Sequence, residues 1–157
     1  MTYQRILNAD LVANRRSAKG RLVMRLFRIG QALPPRARRF YHPIYYILVD
    51  VVMGISLPLQ TQIAPGLLLR HGQGIVISWK CRIGSNCEIH QNVTLGEKDN
   101  AAPTLGDNVT VGANAVLLGG IHVGSGASIG AGAVVLHDVP AGATAVGKAA
   151  RIIESSN

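Results

Sequence analysis

LGDNVTVGANAVLLGGIHVGSGASIGAGAVVLHDVP, residues 105–140, decides the fold. An aliphatic residue recurs at every sixth position: Leu105, Val111, Leu117, Val123, Ile129 and Val135. A second set of mostly smaller residues follows four positions behind each: Val109, Ala115, Ile121, Ala127, Ala133 and Val139. No α-helix produces this spacing, because its apolar stripe recurs near 3.6. Short strands joined by turns do, with glycine and asparagine taking positive φ at little steric cost. Three such hexapeptides complete one coil of a triangular prism, with the aliphatic residue pointing inward. The expected fold is therefore mainly β, a parallel β-helix.

The period continues upstream through Leu95, Ile89 and Ile83, broken once by four extra residues between Leu95 and Leu105. That broken step, EKDNAAPT (97–104), is expected to be a polar loop thrown from a corner of the prism. Ile63, Leu69 and Ile75 keep the period, and a two-residue offset then brings Ile77 into phase with Ile83. Cys81 and Cys87 fall at the inward small-residue position and are read as core filler. With no CxxC or CxxH neighbourhood, they suggest neither a metal site nor a disulfide, and a reduced cytoplasmic protein is expected.

The first sixty residues obey different physics. They hold ten basic side chains against Asp10 and Asp50, which accounts for the whole net charge of +8. Six of the seven aromatic residues precede position 50, and fifteen of the eighteen glycines follow position 60. The division expected is a helical, basic segment over 1–60 and a β-helix over 61–157. Across 3–30, Leu22, Leu26 and Ile29 can share one helix face while Arg21, Arg25 and Arg28 share another. Pro34-Pro35 ends that helix, and a second is expected from about Pro43 to Met53. Together they are read as a cap over the open end of the β-helix. The apolar stretch Ile44–Leu57 contains Asp50 and falls short of the ~20 residues needed to span a bilayer. No secretory signal is expected. Arginine-rich helices attract anionic headgroups at ~1 kcal/mol per basic residue, so peripheral contact with an anionic inner membrane is an expectation. Nucleic acid is not an expected partner, because no recognised binding motif accompanies the charge.

From Ile63 to Ile153 the chain resembles serine acetyltransferases and the related acetyltransferases of exopolysaccharide clusters of the colanic-acid type. The resemblance rests on LLLRHGQGIVIS (67–78), IHQNVTLGE (89–97), the stretch 111–140 and VGKAARII (146–153), with LNADLVANR (7–15) adding a weaker likeness. It implies a left-handed β-helix, a homotrimer with its active site between neighbouring subunits, and acetyl-CoA as donor, with no metal. It also implies His71 as general base. A neutral imidazole, with an unperturbed pKa of ~6.5, can take the proton of a hydroxyl as it attacks a thioester. Direct transfer without an acyl-enzyme is expected. For the donor, the resemblance points to Gly96, Ala113 and Ala131 beside the pantetheine arm and to Lys148 and Arg151 at the CoA phosphates. Arg70, Trp79 and His90 are the candidates for contact with the acceptor. His122 and His137 have no comparable surroundings.

Against the serine enzymes the chain departs at several places. Arg70 stands where they carry an aspartate before the catalytic histidine, and Ala101 and Ala102 replace an Arg-His pair in the loop. Ser56 takes the place of the aspartate that orients the imidazole; Ser56, a backbone carbonyl or water could hold the Nδ1 proton. A free amino acid needs partners for both its ammonium and its carboxylate. These departures favour a carbohydrate hydroxyl in exopolysaccharide or capsule synthesis, on a nucleotide sugar, lipid-linked unit or polymer. The alternative is a serine O-acetyltransferase of cysteine biosynthesis with a rearranged pocket. A γ-type carbonic anhydrase would need a histidine at position 95, which is Leu95. A non-catalytic assembly module would be indifferent to loss of His71.

Overall fold

The computed structural model describes residues 2–147. Three helices, α1 (Tyr3–Ala13), α2 (Ala18–Ala32) and α3 (Pro35–Tyr46), lead into a π-helical turn, Ile47–Val52. Fourteen short strands then wind through three parallel faces. The first face holds β1 (Ile55–Ser56), β4 (Ile75–Ile77), β7 (Thr94–Gly96), β10 (Val116–Leu118) and β13 (Val134–Val135). The second holds β2 (Gln62–Ile63), β5 (Arg82–Ile83), β8 (Thr104–Leu105) and β11 (His122–Val123). The third holds β3 (Leu68–Leu69), β6 (Glu88–Ile89), β9 (Thr110–Val111), β12 (Ser128–Ile129) and β14 (Thr144–Ala145). Every strand pair is parallel, and each coil visits the three faces in turn, giving a β-solenoid of about five coils.

The hexapeptide pattern explains this winding. From β1 to β13 the inward aliphatic residue is buried, as at Leu69, Ile77, Leu95, Val111 and Leu117, and its neighbours point out. The small inward set, including Cys87, Ala115 and Ala127, lets the chain turn tightly at each corner without leaving a void. Asparagines supply left-handed corners in the lower coils, with φ 55 at Asn86, 56 at Asn92, 57 at Asn108 and 60 at Asn114. Glycine takes over that role at Gly126 and Gly132.

Several boundaries differ from the sequence reading. The first strand begins at Ile55, ahead of the expected boundary at 60. The long first helix breaks at residues 14–17, where Gly20 N–H donates to Ser17 Oγ at 2.9 Å and starts α2 afresh. The next helix starts at Pro35 rather than Pro43, which lies within it. On α2 the buried side chains are Val23, Met24, Phe27 and Arg28, while Leu22 is exposed. The two-residue offset is also displaced. Ile77 pairs with Leu95, and Val76 with Thr94, which sets Ile75 opposite Val93 in the small-residue column. The extra residues therefore lie between Leu69 and Gly74, at the corner joining the third face to the first.

Arg28 is buried because the helices cap the lower rim of the solenoid with side chains. A strand edge presents unpaired N–H and C=O groups that need partners. Asn14 fills in for a missing strand: its Nδ2 donates to Leu67 O at 2.7 Å, and Leu69 N–H donates to its Oδ1 at 3.1 Å. Arg28 donates to Ile63 O at 2.9 Å, to Ala64 O at 3.0 Å and to Asp10 Oδ2 at 2.7 Å. Asp10 Oδ1 in turn accepts from Gly66 N–H at 2.8 Å. Gln31 donates to Leu59 O and Thr61 O, and Tyr45 Oη donates to Leu57 O at 2.7 Å.

The loop 97–104 is more ordered than a free insertion. Lys98 and Ala101 exchange both backbone hydrogen bonds, at 2.9 and 3.1 Å, around Asp99 (φ 53) and Asn100 (φ 63). Two successive positive φ values make a two-residue hairpin of type I′. Lys80 Nζ pairs with Glu97 at 2.8 Å and also donates to Asn100, so the hairpin is tied down at its base.

Candidate active site

The extra corner residues carry His71. Its φ is 60, and it is followed by Gly72 at φ 23 and Gly74 at φ 65. A histidine in the left-handed region is uncommon and costs about 1 kcal/mol, which the well-hydrogen-bonded coils on either side sustain. The imidazole stands exposed at the apex of this bulge. It borders a cleft of about 450 Å³ whose other wall is the α1–α2 junction, with Arg15, Arg16 and Ser17, and which Arg70 also lines. Arg21 donates to Arg15 O and ties that junction to α2.

Beside the bulge, Arg70 and His90 are brought together by a residue the sequence reading passed over. Arg70 Nε donates to Glu88 Oε1 at 2.8 Å, and His90 Nε2 shares the same oxygen at 2.9 Å. The pairing follows from register, since Leu69 lies opposite Ile89 and so sets Arg70 beside His90. Arg70 holds the Glu88 carboxyl below its ordinary range, with a smaller contribution from His90, and the same contact raises the Arg70 guanidinium. The pair is solvent-accessible and therefore screened.

Ala113 and Ala131 lie at the same corner as His71. Asn92 N–H donates to Gln73 O, Asn114 N–H to Gln91 O and Gly132 N–H to Ala113 O, so Gln73, Gln91, Ala113 and Ala131 form one column. With coils ~4.8 Å apart, the two alanines stand about 10 and 14 Å along the axis from the His71 bulge. Gln91 Oε1 is buried there without a partner among the described residues. Gly96 and Trp79 occupy the opposite edge of the first face, beside the hairpin. A Cβ on Gly96 would come within 2.7 Å of Leu118 Cδ2, so a larger residue there requires the Leu118 side chain to move. Trp79 is exposed, with Lys80 Nζ 5.3 Å from its ring centroid. Ser56 lines a depression with His42, Tyr45 and Asp50 and is not among the residues lining the cleft beside His71. Lys148 and Arg151 lie outside the described residues.

The arrangement offers an exposed imidazole, guanidinium groups beside it and a column of small residues along the same corner. Arg15, Arg16 and Glu88 escaped the sequence reading. The two arginines reach His71 only because the helices fold back onto the first coil. Glu88, two residues before His90 on the outward side of β6, was the one with a readable signal. Burial pushes the Cys81 thiol up to about 12 and raises the Cys87 thiol as well, so neither is suited to act as a nucleophile.

Comparison with known proteins gives the family context. Residues 102–137 match the bacterial transferase hexapeptide family (six repeats). The chain is 41% identical over 131 residues to a serine acetyltransferase of Helicobacter pylori, covering 81% of this chain and 77% of that protein. To the Bacillus licheniformis serine acetyltransferase it is 40% identical over 130 residues, covering 80% of this chain and 60% of that longer protein. Among solved structures, soybean serine acetyltransferase superposes with a TM-score of 0.83 at 33% identity, covering 96% of this chain and 69% of that one. The Neisseria gonorrhoeae serine acetyltransferase in complex with serine superposes with a TM-score of 0.80 at 32% identity, covering 96% and 68%. These findings overturn the expectation of a carbohydrate acceptor in exopolysaccharide synthesis. The substitutions at individual pocket positions point away from serine, yet the relatives at this identity are named for it.

Proposed function

The chain belongs to the serine acetyltransferase family of hexapeptide-repeat transferases, and on that premise we propose that it moves the acetyl group of acetyl-CoA to the hydroxyl of L-serine, a step of cysteine biosynthesis. It is an acetyl-CoA-dependent O-acetyltransferase. The observation that carries the serine reading is the cleft in which His71 faces Arg15, Arg16 and Arg70. The loop lacks its family Arg-His pair, and the α1–α2 junction supplies guanidinium groups in its stead. A guanidinium fork matches a carboxylate in geometry as well as in charge. Glu88, held ionised by Arg70, is the carboxylate at hand for the ammonium.

In this reading the proton of the serine hydroxyl passes to His71 as the oxygen bonds to the acyl carbon. The carbon–sulfur bond breaks, and the imidazolium returns the proton to the departing thiolate. The buried thiols take no part, and transfer is direct. The left-handed sense of the coil is consistent with the family. The partner that orients the imidazole is Ser56, a backbone carbonyl or water. In this reading the donor runs along the corner column, past the small side chains of Ala113 and Ala131, with Gly96 on the opposite edge of the face.

A homotrimer fits the same face. Its outward column, Ser56, Val76, Thr94, Val116 and Val134, is largely apolar, and Val76 and Val134 are exposed in the single chain. Packing that face against a neighbour covers it and brings the His71 edge of one subunit toward the hairpin edge of the next. A cytoplasmic location accords with the donor and with two unpaired thiols.

The test compares L-serine with L-serinamide, following O-acetylated product by mass spectrometry. Wild type should prefer L-serine, and Arg15→Gln with Arg16→Gln should raise its KM on the order of tenfold while sparing kcat, an effect of ~1.4 kcal/mol. Equal use of serine and serinamide by wild type and variant alike would refute carboxylate recognition by these arginines. No acetylated serine from wild type would refute the serine reading itself.

A further inference from the structure

Along α3 and the π-helical turn, Phe40, Ile44, Ile47, Leu48, Val51 and Val52 are 77, 58, 54, 37, 64 and 69% exposed. Their spacing keeps to one side of the helix, while Tyr45 and Val49 point the other way and are buried against the solenoid. Six large apolar side chains thus form a ridge about 18 Å long, given the ~1.5 Å rise per residue. A soluble surface rarely leaves such a strip uncovered unless something binds it.

The surrounding charge says what that is. Arg36 and Arg39 are exposed on the ridge's own helix, and Arg5, Arg21 and Arg25 are exposed on α1 and α2. The segment's two carboxylates do not offset them: Asp10 is buried in its pair with Arg28, and Asp50 is half-buried. A second copy of the same ridge would bring like charges together. A polyanion without an apolar phase would leave the ridge wet. An anionic bilayer supplies both partners, headgroup charge for the arginines and an acyl boundary for the ridge. No helix among the described residues is long and apolar enough to cross the membrane.

We propose that α3 and its π-helical turn form an interfacial helix that seats the protein on an anionic membrane, ridge inward, with the solenoid in water. Tyr46, half-exposed beside the ridge, has the amphipathic character of interfacial aromatics. The proposal stands independently of the acceptor, and thiol release in vesicle-free buffer is expected to be unchanged in the ridge variants.

The experiment is sedimentation of the full chain with vesicles of phosphatidylcholine alone or mixed with phosphatidylglycerol, at low and high salt, with oligomeric size measured alongside by light scattering. Wild type should bind the mixed vesicles at least on the order of tenfold more tightly than the neutral ones and release in high salt. Phe40→Ser with Ile47→Ser should abolish binding at unchanged size and melting temperature, and Arg36→Gln with Arg39→Gln should weaken it at low salt. Wild type that stays in solution with the mixed vesicles at low salt overturns the proposal. So does a Phe40→Ser, Ile47→Ser variant that changes oligomeric size but keeps its vesicle binding, because the ridge then belongs to a second copy.

Discussion

At the scale of single residues, the candidate site depends on one histidine in a conformation that side chains seldom adopt. His71 has φ 60, a value that asparagine takes at four other corners of the same solenoid. His71→Asn should therefore keep the fold, with stability within ~0.5 kcal/mol in urea unfolding, because the backbone is one asparagine tolerates. Thiol chemistry gives a second expectation. Both cysteines are buried, and the Cys81 thiol is pushed up to about 12, so neither should react with a maleimide near neutral pH until the protein is unfolded. Rapid labelling of the native protein would contradict the core placement and reopen a covalent route. In the sequence, His71 is singled out because its flanking residues resemble a family motif. The conformation that presents it was only hinted at by the slip in the hexapeptide period. Arg15 and Arg16 were not legible as site residues, since nothing local in LNADLVANR reports which coil the junction will meet.

At the scale of elements, the helices act as a side-chain cap for a sheet edge. Asn14 satisfies Leu67 O and Leu69 N–H at once, so Asn14→Ala leaves two buried backbone groups unpaired and should cost about 2–3 kcal/mol. Arg28→Ala strands the buried Asp10 carboxylate and should cost about 3–5 kcal/mol. Both are read as a fall in the urea midpoint, and loss of under about 0.5 kcal/mol in either would mean that the helices do not close the coil. The inward positions of the strands could be read from spacing alone, because a six-residue period leaves one solution. Helix faces could not. The spacing of Arg28 matches a solvent face, yet it points inward because two backbone oxygens and one carboxylate oxygen await it there. The broken step at 97–104 was legible as a loop, but its I′ hairpin depends on Asp99 and Asn100 both taking positive φ.

For the molecule as a whole, the solenoid is a ruler that sets out the candidate site residues by corner and coil. One edge of the first face carries His71, Ala113 and Ala131, and the other carries Gly96, Trp79 and the hairpin. The repeat made that scaffold predictable down to its inward columns. The substituted pocket positions misdirected the acceptor expectation, because they show which residues were lost and say nothing of groups contributed from elsewhere in the chain. The most direct test of the serine acetyltransferase account is the rate of CoA-thiol release from acetyl-CoA with L-serine, for wild type against His71→Asn. The account predicts serine-dependent release by wild type and a fall of ~10²–10⁴ in kcat for the folded variant. Release that ignores serine, or a folded His71→Asn protein that keeps its rate, would contradict it.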